Sequence, residues 1–264
     1  YNLKDKYNKH SANLIFYNLS RSINNKITKS LIVKNKISII IFNYINDSKK
    51  LENILNKFAS DFDQYEIEYL IIQKENYSQT LIFERAEYIS IKNFNESDFY
   101  DLSLNKCFGD YIICYTNNDN YFQSDCLRLF NYFRLNKLSI LFGNRSNFYQ
   151  FGNKNYNSFL RHFISKYGGF VISVLIFIFL NRNVSDYFTG LKIYDRNFLE
   201  SIRLNNKKRL KLNNIKLLIE AIRLEVNVDQ VDIKYKRVNN ASEFFTNFSR
   251  GIYTIYYILV GRFL

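Results

Sequence analysis

Residues 37–42 read Ile-Ser-Ile-Ile-Ile-Phe, a near-continuous β-branched run. A strand with one wet face alternates apolar and polar residues, so this run predicts a strand buried on both faces. Such burial requires helices on each side of a sheet. The signal returns at 67–72, at 111–115 (YIICY), more weakly at 88–91, and at 139–142. Helical spacing falls between the runs: Ser48 is the expected N-cap of a helix carrying Leu51, Ile54, Leu55 and Phe58. Residues 98–107 fit a second helix, and Cys126, Phe130 and Phe133 mark a third. Strands alternating with helices predict an α/β fold, a mostly parallel central sheet flanked by helices. Ligands in such sheets sit beyond the carboxyl ends of the strands, here 43–47, 73–76 and 116–121.

The second half changes character. Residues 156–180 predict a helix ending in the apolar stretch 170–180 (FVISVLIFIFL), too short to span a bilayer, which needs about 20 residues. That stretch is either core or a helix lying at a membrane interface. A turn and strand follow at 187–194, an amphipathic helix at 215–224, a strand at 228–235 and a Tyr-rich apolar close at 252–260. One domain over 37–250 is the economical division. It has a basic extension at 1–36 and an apolar segment at 251–264 that is a candidate for the membrane interface. No initiator Met opens the sequence, which suggests a trimmed or incomplete start, and the apolar run 14–17 is too short for a secretory signal.

Charge narrows the partners. The chain carries a net +13, which suits an anionic partner such as a phosphate-bearing substrate or an anionic membrane surface, or is a plain solubilising surface. Nucleic acid is set aside because no stacking-aromatic or helix-turn-helix motif accompanies the charge. The 3 cysteines, Cys107, Cys114 and Cys126, are odd in number and lack CxxC spacing, which argues against a disulfide framework or zinc site and fits a reducing compartment. The bias toward Asn, Lys, Ile, Phe and Tyr, with no Pro, looks like AT-rich coding, so Asn and Lys abundance carries no weight here.

The order of short motifs resembles the GT-A fold (Rossmann-like) of family-2 glycosyltransferases. It is most like the branch of dolichol-phosphate mannose synthase and bacterial polyprenyl-phosphate glycosyltransferases. Phe42-Asn43-Tyr44-Ile45-Asn46 resembles P-x-Y-N-E after the first strand, and Asn93 stands at the Asn of A-R-N-x-G. Gly109-Asp110-Tyr111 matches the G-D-Y that leads to the D-x-D strand, and Gly143-Asn144-Arg145 resembles G-S-R. Residues 186–192 (DYFTGLK) match D-x-T-S-G-F-R, and 233–242 (IKYKRVNNAS) resemble the later segment with its Arg and Ser. Two motifs depart. Gln73-Lys74-Glu75-Asn76 replaces D-D-G-S, and Thr116-Asn117-Asn118 replaces D-x-D, with Asp119 one place later.

The resemblance implies a hexosyltransferase that moves a sugar from a nucleotide-sugar donor to a lipid-phosphate or glycan acceptor, a polyprenyl phosphate or cell-surface glycan intermediate. The alternative is a catalytically inactive domain acting as a binding or scaffold module. The implied place of work is cytoplasmic, peripheral at the cytoplasmic face of the membrane. Phe42, Tyr44, Asn46, Gln73, Asn93, Asn117 and Asn118 fall at donor-binding positions, Gln73 offering its amide to a uracil or guanine edge. Asp119 is the candidate ligand for Mg²⁺ or Mn²⁺, hard cations that want carboxylate oxygens, unless it serves only the turn. Asp186 is the candidate catalytic carboxylate, as general base or as orienter of the phosphate pocket, or else a capping Asp. Arg145, Arg237 and Ser242 fall at acceptor-phosphate positions, the two arginines as bidentate clamps or as solvated surface groups.

Overall fold

The computed structural model describes residues 35–44, 47–75, 83, 86–91, 102–117, 121–145, 159–182, 184–186, 189–205, 214–235 and 244–261. Seven strands form one sheet in the order β3-β2-β1-β4-β6-β5-β7. They are β1 (Lys36–Asn43), β2 (Glu66–Lys74), β3 (Ala86–Ile91), β4 (Tyr111–Asn117), β5 (Ile140–Asn144), β6 (Lys192–Asp195) and β7 (Val228–Asp232). The three strongest apolar runs of the sequence are neighbouring parallel strands, β2-β1-β4. β3 pairs parallel to β2, and β7 parallel to β5. β6 alone runs the other way, antiparallel to both β4 and β5. The mostly parallel α/β architecture is therefore present.

Alternate residues of each central strand enter opposite cores, as a pleated strand requires. Ile37, Ile39, Ile41, Ile71, Ile113 and Tyr115 pack with helix α1 (Ser48–Asp61) and helix α2 (Ser124–Leu135). Ile40, Leu70, Ile72, Ile112 and Cys114 enter the other core. That core is closed by α3 (Phe159–Leu180), α4 (Arg196–Asn205), α5 (Asn214–Arg223) and α6 (Phe244–Gly261). No helix among the described residues is long and apolar enough to cross a membrane.

Two expectations need correction, and a third offered alternatives that the structure narrows. The α1 cap is Asp47, not Ser48: its carboxylate accepts from the Lys50 N–H at 3.1 Å, and the helix begins at Ser48. Helix α4 was not expected, although Phe198, Leu199 and Ile202 bury one of its faces. The stretch 170–180 is neither all core nor all surface. Ile172, Ile176 and Leu180 are buried, while Phe170, Phe177 and Ile178 face outward. Of the helix expected at 98–107, residues 102–106 are described as helical and the start lies outside the described residues, as do 1–34 and 206–213.

At the amino ends of the strands, a half-buried polar latch ties β1, β2 and the approach to β4. Glu68 on β2 pairs with Lys36 at 2.6 Å, accepts from Ser38 Oγ and from the Phe108 N–H, and accepts from the Gly109 N–H at 3.0 Å. Gly109 is needed there for closeness, since a Cβ would meet the β1 backbone at Ser38 N at 2.5 Å and Ile37 C at 2.8 Å.

Candidate active site

Chain order reverses direction between β1 and β4, with β2 and β3 on one side and the remaining strands on the other. In open α/β sheets such a switch point leaves a crevice at the carboxyl ends of the strands. Each central strand here carries a carboxamide at the same level, as the last residue of β1 and β4 and the last but one of β2. Asn43 is in register with Gln73 of β2 on one side and with Asn117 of β4 on the other. All three are buried. By alternation they continue the stripe of Ile41, Ile71 and Tyr115 toward the crevice, on the α1–α2 face.

The hydrogen bonds of this row are incomplete. Asn117 Nδ2 donates to Asn43 Oδ1 at 2.8 Å, and the Tyr44 N–H donates to the Asn117 carbonyl at 3.2 Å. Among the described residues Gln73 Nε2 has no partner, although Gln73 is 4 % exposed. A buried amide donor left unpaired costs about 1–3 kcal/mol, so one that persists calls for an acceptor. Tyr44 stands exposed just past β1. Phe42 turns the other way and packs against the opposite core, so its side chain is not part of the row.

A second polar cluster closes the β5–β7 side. Asp186, a few residues beyond α3, receives Arg145 Nε at 2.6 Å, Arg145 Nη2 at 2.7 Å and the Arg145 N–H at 3.0 Å. The guanidinium fork expected to clamp a phosphate is thus engaged by Asp186, and both oxygens of Asp186 are engaged by Arg145. Arg145 also lies over the Tyr235 ring, 5.2 Å from its centroid, and Nη1 reaches the Tyr121 hydroxyl at 3.4 Å. That hydroxyl accepts from the Gly190 N–H at 2.7 Å. Burial pushes the Tyr121 phenol above its ordinary value, so it is neutral and serves as a hydrogen-bonding group. The strap 184–186 is held to its surroundings by further bonds. Ser173 Oγ of α3 donates to the Ser185 carbonyl at 3.0 Å, and the Ser185 N–H donates to Gln230 Oε1 at 2.9 Å.

The structure therefore brings Gln73 and Asn117 together at the switch point and joins Arg145 to Asp186 beside it. Asn46, Asn93, Asn118, Asp119, Arg237 and Ser242 lie outside the described residues. Three participants were not anticipated. Asn43 is a polar residue closing an apolar strand, a signal that was available. Tyr121 and Tyr235 meet through a bridge between segments 114 positions apart, which no local pattern announces.

The described residues do not by themselves form a site for a hard cation. No group of three or more His, Cys, Asp or Glu residues converges among them. Thr116 Oγ1 donates to the Gly190 carbonyl at 3.2 Å, and Asn117 bonds Asn43, so the first two positions of the Thr116-Asn117-Asn118 triplet are engaged within the protein.

The sheet order and the crevice at its switch point define a GT-A α/β fold, and comparison with solved structures agrees. The structure is similar to that of glucosyl-3-phosphoglycerate synthase from M. tuberculosis, with a TM-score of 0.53 and 11 % sequence identity over 86 % of this chain and 80 % of that chain. The same enzyme in complex with uridine diphosphate superposes with a TM-score of 0.53 and 11 % identity over 85 % of this chain and 80 % of that one. Its complex with Mn²⁺, UDP-glucose and phosphoglyceric acid gives a TM-score of 0.51, again at 11 % identity, over 85 % and 79 %. At this identity the likeness establishes the fold. No family model matches the sequence, and no curated protein matches it.

Proposed function

We propose that this chain is a glycosyltransferase that moves a sugar from a nucleotide-sugar donor to an acceptor, with a polyprenyl phosphate as the preferred acceptor class and a glycan intermediate as the other. The observation that carries the reading is the carboxamide row at the switch point with its unpaired donor, Gln73 Nε2. A uracil or guanine carbonyl is the acceptor such an amide lacks. The solved relatives in fold bind uridine diphosphate and UDP-glucose, which supports a nucleotide in this crevice.

In the proposed transfer the acceptor oxygen attacks the anomeric carbon in line. The bond from that carbon to the diphosphate breaks, and the nucleoside diphosphate leaves with the electron pair. A hydroxyl acceptor would need a base to take its proton, whereas a phosphate acceptor is already anionic. Both oxygens of Asp186 are engaged by Arg145, which favours the acceptor that needs no base. The Arg145–Asp186 pair then positions the acceptor-side strap, and Arg237 with Ser242 is proposed to meet the acceptor phosphate. Asn46, Asn93 and Asn118 are proposed to complete the donor site, and Asp119 is the carboxylate proposed for Mg²⁺ or Mn²⁺.

A second reading is a binding module without turnover, favoured by amides at two positions where the resemblance expects carboxylates. The test is release of nucleoside diphosphate from a panel of UDP- and GDP-sugars, with Mn²⁺ present, with and without polyprenyl phosphate. Acceptor-dependent release of one nucleotide supports transfer. Saturable binding with no release from any donor would leave the binding module as the function.

A further inference from the structure

Among the described side chains, the exposed residues of α3 over 170–178 and of α6 over 252–259 are all apolar or tyrosine. On α3, Phe170, Val171, Phe177 and Ile178 are exposed, the latter two at 60 % and 59 %. On α6 the exposed residues are Ile252, Tyr253, Tyr256 and Leu259, with Tyr253 at 63 %. Spacings of one, seven and eight on α3, and of one, four and seven on α6, place each set on one side of its helix. The two helices pack on each other through their opposite sides, where Ile172, Ile176 and Ile258 are buried and Gly251 lies against Ile172. The two exposed stripes thus belong to one packed helix pair. Monomeric soluble proteins rarely expose contiguous apolar surface of this extent, so the face marks an interaction site.

Charge says what covers it. No Asp or Glu occurs between Asp125 and Asp186, and none from Phe244 to the end of the chain. In sequence the apolar stretches are bracketed by cations alone: Lys166 and Arg182 about α3, Arg250 and Arg262 about α6. Lys216 of α5 sits 4.5 Å from the ring of Tyr257, beside the same helix. An apolar, tyrosine-bearing face on helices whose apolar stretches are flanked in sequence by cations and contain no carboxylate matches an anionic lipid surface, with the rings at headgroup depth. Neither helix is long and apolar enough to cross, so the pair lies on the surface.

We infer that the α3–α6 face docks this protein on an anionic membrane surface. Ser173, on the same helix as Phe170 and Phe177, holds the Ser185 carbonyl next to Asp186, so docking sets the strap of the candidate active site close to the lipid headgroups. The inference stands on exposure and charge and does not require that the chain transfer a sugar.

The experiment is co-sedimentation of the full chain with vesicles of phosphatidylcholine alone or of phosphatidylcholine with phosphatidylglycerol, at low and high salt. Phe177→Ser/Ile178→Ser and Tyr253→Ser/Tyr256→Ser remove apolar surface without changing charge. Leu135→Ser, at an 83 % exposed site on α2 across the sheet, is the control. The chain is expected to bind the anionic vesicles and to be weakened by salt without being abolished, because apolar insertion is not screened. Each double variant should bind about tenfold less at high salt, with the control unchanged. Absence of wild-type binding at low salt overturns the inference. So does equal binding by the double variants, or a wild-type dimer that either double variant turns into monomer while vesicles bind neither form. Circular dichroism of each variant separates loss of docking from loss of fold.

Discussion

Arg145 and Asp186 hold each other through two side-chain hydrogen bonds, with side-chain exposures of 20 % and 12 %. Removing one partner leaves the other charge stranded in a poorly solvated place. Arg145→Ala should therefore destabilise the fold by about 3 kcal/mol, and replacing both residues with apolar ones should cost less than the single changes predict. Urea unfolding of the two single variants and the double variant measures this; additive costs would mean that the pair is not coupled. Glu68 gives the pH counterpart. Burial opposes its charge, but the bonds from Lys36, Ser38 and Phe108 outweigh that and hold its carboxyl below the ordinary value of 4.5. A depressed folded pKa means that the unfolded chain binds the proton more readily, so this stabilisation is present above about pH 4.5 and lost as pH falls through the folded value. Glu68→Gln should lower stability at pH 7 and flatten its decline as pH falls below about 4.5. An unchanged acid limb would show that Glu68 does not contribute to it.

The ends of the helices show how an unusual composition is accommodated. Lys137 and Glu225 follow α2 and α5 with φ of 48° and 53°, in the left-handed region that favours glycine. Both sit in closed helix-ending turns: the Leu138 N–H reaches the Phe133 carbonyl at 3.1 Å, and the Val226 N–H reaches that of Ala221 at 3.0 Å. A chain with only 8 glycines has put other residues there. Lys137→Gly and Glu225→Gly should each stabilise by about 1 kcal/mol, read as a rise in the denaturation midpoint. A fall at either site would mean that its side chain makes a compensating contact. The same level explains what could be read in advance. β1, β2 and β4 were legible because both of their faces are buried, which demands continuous apolar runs. β7 reads Val-Asp-Gln-Val-Asp and is half-buried throughout, so its pattern is faint. The insertion of β6 backwards between β4 and β5 is set by pairing between distant segments and leaves no local trace. At the candidate site, strand ends were easy to place, so the positions of Gln73 and Asn117 in the crevice were legible. The Arg145–Asp186 pairing depends on side-chain geometry across 41 positions, which spacing does not encode.

At the scale of the whole molecule, one crevice opens at the β1–β4 switch point of a GT-A sheet, with the amide of Gln73 where the resemblance expects an acid. Amides can read the edge of a base without adding charge next to a diphosphate, which suits nucleotide binding by a strongly basic protein. The cost is a buried donor unpaired in the free protein, and that cost links stability to binding. Replacing Gln73 with methionine keeps its length and removes the orphan donor, so the variant should be as stable as the wild type or up to about 1 kcal/mol more stable. Its affinity for nucleotide should fall. Titration calorimetry of UDP and GDP against the wild type and Gln73→Met, in Mn²⁺ and in chelator, is therefore the decisive experiment. The account predicts saturable binding of one of the two nucleotides by the wild type and binding about tenfold weaker by the equally stable variant, the loss of one hydrogen bond to a base. Wild-type and variant curves that coincide, or no binding of either nucleotide to the wild type, would contradict it.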